Sequence, residues 1–173
     1  PGVLSLWLGE VKALRALGRY EDALDAAAKL HQMAPSGPLY EEIAACLQAT
    51  GASPRQVEAQ LARALDMAGE ISVEAMLTRT KSLLAVKGER TAGQAISVLS
   101  RVWDSKASGP LSPTDSEVAL LLSESFMKRG KPRDYHRARQ LLQEVSARTQ
   151  DPYDGSLAEA LSGLCTQALP SPP

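Results

Sequence analysis

An all-α fold of repeated helical hairpins is what this sequence predicts, and three observations carry the prediction. Apolar residues recur three and four apart over stretches several turns long, which places them on one face of a helix. Four of these stretches end at Gly18, Gly51, Gly88 and Gly130, residues able to take the left-handed conformation just past a helix end, and the spacing between them lengthens along the chain. Alanine and leucine are abundant while aromatics make up 4% of the 173 residues, which suits helices meeting through small contacts better than a β-rich fold.

The first unit, about 3–35, is the clearest. Leu4, Trp7, Leu8, Val11, Leu14 and Leu17 form one helical stripe that stops at Gly18. Ala23, Leu24, Ala27, Leu30 and Ala34 form the next, closed by Pro35. A connection this short makes the two helices antiparallel, with shared apolar faces. The second unit, 38–69, opens at Pro38 and carries Leu39, Tyr40, Ile43, Ala44 and Leu47 to Gly51. Ser53 and Gln56 then spell a capping box around Pro54, and Val57, Leu61, Ala64, Leu65 and Ala68 supply the stripe up to Gly69.

In the third unit, 72–104, Ser72 is the expected cap for a helix bearing Val73, Met76, Leu77, Leu83, Leu84 and Val86. Thr91 and Gln94 read as another box ahead of Ala95, Ile96, Leu99, Val102 and Trp103. Residues 105–114 read as a loop because Pro110 and Pro113 oppose a continuing helix. The fourth unit, 115–148, places Val118, Leu121, Leu122 and Phe126 inward before Gly130, then Ala138, Leu141, Leu142 and Val145. A ninth helix, 156–168, is expected to start at a Ser156 and Glu159 box, carry Leu157, Ala160, Leu161 and Leu164, and cap the last unit. Residues 1–169 read as one domain and 170–173 as a disordered tail. A globular helical bundle is the alternative that periodicity leaves open.

Composition narrows the function classes. A net charge of −1 gives no whole-chain field that would attract nucleic acid or an acidic membrane. No apolar run is long enough to span a bilayer, and the first residues lack a signal-peptide layout, so no membrane insertion and a cytoplasmic location are expected. The chain begins at Pro1 without an initiator Met and reads as a piece of a longer protein. Cys46 and Cys165 form no motif and read as small buried residues.

Trp7, Gly18, Tyr20, Ala23 and Pro35 sit at the mutual offsets of a tetratricopeptide repeat, a helix-turn-helix unit of about 34 residues, and 7–35 resembles that family. Glu10, Val11, Leu14 and Ala27 depart from its pattern, and the later units are degenerate copies. The resemblance implies a right-handed α-solenoid of four units plus a capping helix. It also implies a concave surface, lined by the first helix of each unit, that binds a peptide segment or helix of a partner protein. The turn register puts Leu8, Lys12 and Arg15 on that surface, then Glu41, Ala45 and Gln48, then Thr78, Ser82 and Ala85, and finally Leu120, Glu124 and Met127. Family members that bind chaperone tails use a clamp of Lys, Asn and Arg. This chain has no Asn and offers Leu8, Lys12, Glu42, Ala75 and Arg79 there, so acidic chaperone tails are disfavoured.

Catalytic chemistry has little to stand on. His31 and His136 lie in different units without a nearby ligand set, and neither a phosphate loop nor a nucleophile elbow is present. Glu21-Asp22 and Glu41-Glu42 are adjacent on helices and point apart, so neither pair reads as an acid–base dyad. The expectation is no enzyme activity, no cofactor and no metal. Lys128, Arg129, Lys131, Arg133, Arg137 and Arg139 form a basic cluster, but with few stacking partners they read as a solvated helix end suited to the helix dipole. The expected role is therefore an adaptor or scaffold. The alternatives are a structural subunit docking through its convex face or the 105–114 loop, with Ser112 a phosphorylation candidate, or an RNA-binding helical repeat.

Overall fold

Nine α-helices occupy the residues that the computed structural model describes, 2–86, 88–105 and 109–168. They are α1 Gly2–Ala16, α2 Tyr20–Met33, α3 Gly37–Ala49, α4 Pro54–Ala68, α5 Val73–Ala85, α6 Glu89–Asp104, α7 Pro113–Arg129, α8 Pro132–Arg148 and α9 Pro152–Ala168. No strand occurs among these residues, and the helices pack in consecutive pairs. The chain forms two compact units, 1–82 and 83–173.

In the first unit α1 packs on α2 and α3, α2 on α3, and α3 on α4. Val11, Ala23, Ala27, Leu30, Leu39 and Cys46 form one buried cluster, and Ala44, Val57, Leu61 and Ala75 a second. The alanines matter because their small size lets backbones approach. At Gly37 the approach is closest, since a Cβ there would lie 2.9 Å from that of Ala68 and 3.2 Å from the Ala64 carbonyl oxygen. The Ser53–Gln56 box holds α4 as the sequence predicts, and Gly18 takes a φ of +74° at the α1–α2 turn. Ser36 and Ser72 cap α3 and α5 by accepting from the backbone N–H groups of Leu39 and Ala75.

The first helix differs from its expected burial. Val11 is fully buried and Leu8 and Leu14 half-buried, but Trp7 is 37% exposed, Leu17 73%, and Leu4 is exposed as well. A six-residue stripe needs helices on both flanks, and among the described residues α1 packs on α2 and α3 alone. Leu65, Val86 and Leu164, also placed on inward stripes, are exposed too.

In the second unit α7 is the central element, packed against α6, α8 and α9. It buries Val118, Ala119, Leu122 and Phe126 together with Ser116, Ser123 and Ser125. Ser123 and Ser125 satisfy their hydroxyls by donating to the carbonyls of Ala119 and Leu121, one turn back.

Three expected helix starts change. Helix α6 begins at Glu89, so Thr91 lies inside its first turn and donates to the Val86 and Gly88 carbonyls instead of heading a box with Gln94. Helix α9 begins at Pro152, leaving Ser156 inside it, while Glu159 accepts from Ser146 of α8. Helix α7 begins at Pro113 behind a Ser112–Asp115 box, so the expected loop is shorter than 105–114. Its end is fastened: Leu111 is buried and donates to the Arg148 carbonyl, and Arg148 donates to the Gly109 carbonyl. Residues 106–108 and the tail 170–173 lie outside the described residues.

Candidate functional site

The residues placed on the binding surface by sequence fall into two groups. In the first unit two of them, Arg15 and Glu41, link helices, and two more, Thr78 and Ser82, are buried. Arg15 of α1 donates to Glu42 of α3 at 2.6 Å, and the Glu42 side chain is nearly buried, so this pair ties the two helices. Glu41 accepts from the backbone N–H and the hydroxyl of Ser72, at 2.8 and 2.6 Å, reinforcing the start of α5. Thr78 is 8% exposed and donates to the Glu74 carbonyl; Ser82 is 5% exposed. Neither of these two faces open solvent. Ala85 is exposed. Lys12 is exposed, and Leu8, Ala45 and Gln48 are half-buried. Arg79, the one clamp-like residue, is engaged with Glu58 at 2.5 Å.

In the second unit the three expected residues come together. Leu120, Glu124 and Met127 of α7, with Leu121 and Glu117, face Leu157 and Leu161 of α9 across an open groove of about 350 Å³. The residues recur at three- and four-residue steps on α7 and one turn apart on α9, so both helices present a stripe to the groove. Its floor is apolar and its rim carries two carboxylates. Glu124 pairs with Lys128 at 3.0 Å, and Lys128 also donates to the Leu84 carbonyl, which holds that rim in place.

Comparison with known families, curated proteins and solved structures finds no match to this chain. The site therefore has to be read from its own chemistry.

The basic cluster does not behave as one solvated end. Arg129 makes two hydrogen bonds to Asp134, at 2.7 and 2.6 Å, and its guanidinium lies 5.7 Å from the Phe126 ring centre. The hydrogen bonds from Arg129 hold the Asp134 carboxyl below its ordinary range. Lys131 pairs with Glu89 across the surface at 2.7 Å. Arg133 and Arg137 are exposed and have no carboxylate partner among the described residues.

Both cysteines are free and fully buried. Burial pushes the Cys46 thiol up to about 11 and raises that of Cys165, which opposes thiolate chemistry at either position. Tyr40 and His31 stand 3.3 Å apart, hydroxyl to ring nitrogen, in a contact between α2 and α3. Among the described residues no group of three His, Cys, Asp or Glu side chains is disposed to hold a metal, and no helix is long and apolar enough to cross a membrane.

Proposed function

We propose that this chain is a non-enzymatic protein-interaction module, related to tetratricopeptide repeats, that holds a helix or extended segment of a partner protein between α7 and α9. The observation that carries the proposal is the groove itself: Leu120, Leu121, Met127, Leu157 and Leu161 form an apolar floor open to solvent, with Glu117 and Glu124 at its edge. Such a trough accepts a row of apolar side chains spaced along one face of a helix, and the methionine adapts to their shapes. On this reading the hairpins form four units of a right-handed α-solenoid closed by α9, and what supports it is the packing of α1 on α2 and α3, of α3 on α2 and α4, of α7 on α6, α8 and α9, and of α8 on α9.

The test is affinity capture with the wild-type chain and with Leu120→Glu, Leu161→Glu and Lys29→Glu variants, followed by reconstitution with the captured partner. Lys29 is exposed on α2, outside the groove, and serves as control. Loss of the partner in both groove variants at unchanged melting temperature, with the control intact, is the expected result. A partner that binds all four proteins equally would rule out the groove.

A further inference from the structure

The opposite side of the second unit carries a different surface. Helices α6 and α8 flank a hollow of about 220 Å³ over α7, walled by Trp103, Leu122, Phe126 and Leu141, with Asp104 and Glu144 at its edge. Beside it lies a second, larger hollow of about 520 Å³ at the α7–α8 turn, lined by Arg129, Lys131, Arg133, Arg137, Pro132 and Asp134. Arg137 lines both, so the two hollows adjoin. The lining of the second holds four cations against one carboxylate.

These cations are not equivalent. Asp134 is 3% exposed and fixes the Arg129 guanidinium over Phe126, at the boundary of the two hollows. Lys131 is held by an exposed pair to Glu89, which contributes little and is easily exchanged for a stronger anion. Arg133 and Arg137 lie one turn apart on α8, and both line the hollow. Asp134 and Glu89 answer two of the four cations, which leaves the guanidinium groups of Arg133 and Arg137 without a carboxylate among the described residues. A phosphate monoester carries about −1.5 to −2 at neutral pH and offers three oxygens to guanidinium forks.

We propose that this surface binds a phosphorylated peptide segment of a partner protein, with a phosphoserine or phosphothreonine among Arg129, Lys131, Arg133 and Arg137 and a neighbouring large apolar side chain over Trp103 and Phe126. Asp104 also lines the apolar hollow, while Glu144 there is paired with Arg148, so a second phosphate beside the apolar residue is opposed by Asp104. The surface lies apart from the α7–α9 groove and shares none of its residues, so either site stands or falls without the other.

The experiment is retention of a degenerate peptide library with one fixed phosphoserine on the immobilised chain, beside the same library unphosphorylated. Phosphorylated peptides should be retained at least about tenfold better, with a large apolar residue selected at a constant distance from the phosphate. The Arg133→Gln, Arg137→Gln double variant, altered only at exposed positions, should lose the phosphate preference at unchanged melting temperature. Trp103→Ala should keep that preference and lose the apolar selection, with Trp103→Phe restoring it. Equal retention of the two libraries, or a phosphate preference that survives in the double variant, would overturn the proposal. So would inorganic phosphate binding as tightly as the selected peptides, or a single-stranded uridine oligomer displacing them at lower concentration.

Discussion

Helices α1 and α7 each open a hairpin, and their sequences and surroundings run in opposite directions. Helix α1 belongs to the stretch with the most regular repeat signature, yet it buries Val11 alone. Helix α7 belongs to the least regular unit and buries seven residues, three of them serines. Periodicity says which face of a helix is apolar, whereas the number of neighbours decides how much of that face leaves water. With α2 and α3 packed against it, α1 leaves Val3, Leu4 and Leu6 in solvent; with α6, α8 and α9 around it, α7 buries even its serines. The same enclosure leaves a trough on either side of α7.

The sharpest way to break that contrast is a pair of aromatic truncations. Phe126→Ala should cost roughly 3–5 kcal/mol in chemical denaturation, as expected for a buried ring. Trp7→Ala should cost only about 1 kcal/mol, because its ring is more than a third exposed, well below what burial between two helices would give. Equal losses would mean that α1 is as enclosed as α7.

Next in size is the charge pair beneath the α7–α8 turn. Asp134→Ala leaves Arg129 without its partner and should cost on the order of 3 kcal/mol. Since the Asp134 carboxyl titrates below its ordinary range when folded, its contribution is complete above the unfolded-state value near 3.9. It disappears as pH falls through the lower folded-state value. Denaturation midpoints measured across acidic pH should therefore fall less steeply for Asp134→Asn than for the wild type.

Smaller still is the α1–α2 turn. Gly18→Val should lose roughly 1–2 kcal/mol from backbone strain alone, because no other atom lies within 4 Å of where the Cβ would sit. At the bottom of the scale, Leu6→Ser on the open face of α1 should shift stability by no more than about 0.5 kcal/mol. A thermal melt that places Leu6→Ser beside Gly18→Val would show that this face is covered.

What the sequence revealed was mostly local. Ser53 and Gln56 lie within one turn, so their box could be read directly, as could the glycine stop at Gly18. The Ser112–Asp115 box escaped because the shorter Asp stands where Glu or Gln is the usual signal. Contacts that join distant segments left no trace: Arg15 meets Glu42 across 27 positions and Glu41 meets Ser72 across 31. Hence Arg15 and Glu41, expected on a binding surface, instead tie helices to one another, and an Arg15→Glu change would oppose two acids before it tested any partner. Leu120, Glu124 and Met127 were placed by helical register, but nothing local said that Leu157 and Leu161 would face them. The basic cluster was visible as charge, while its division into a fixed Arg129 and unpaired Arg133 and Arg137 depends on where Asp134 and Glu89 lie in space.

Hydrogen–deuterium exchange of the chain with and without its reconstituted partner tests the α7–α9 groove most directly. Slowed exchange in peptides covering 117–127 and 157–161, with α1 unchanged, is the predicted footprint. Protection confined to α1, with α7 and α9 exchanging as they do alone, would place the partner on the other helix and contradict it.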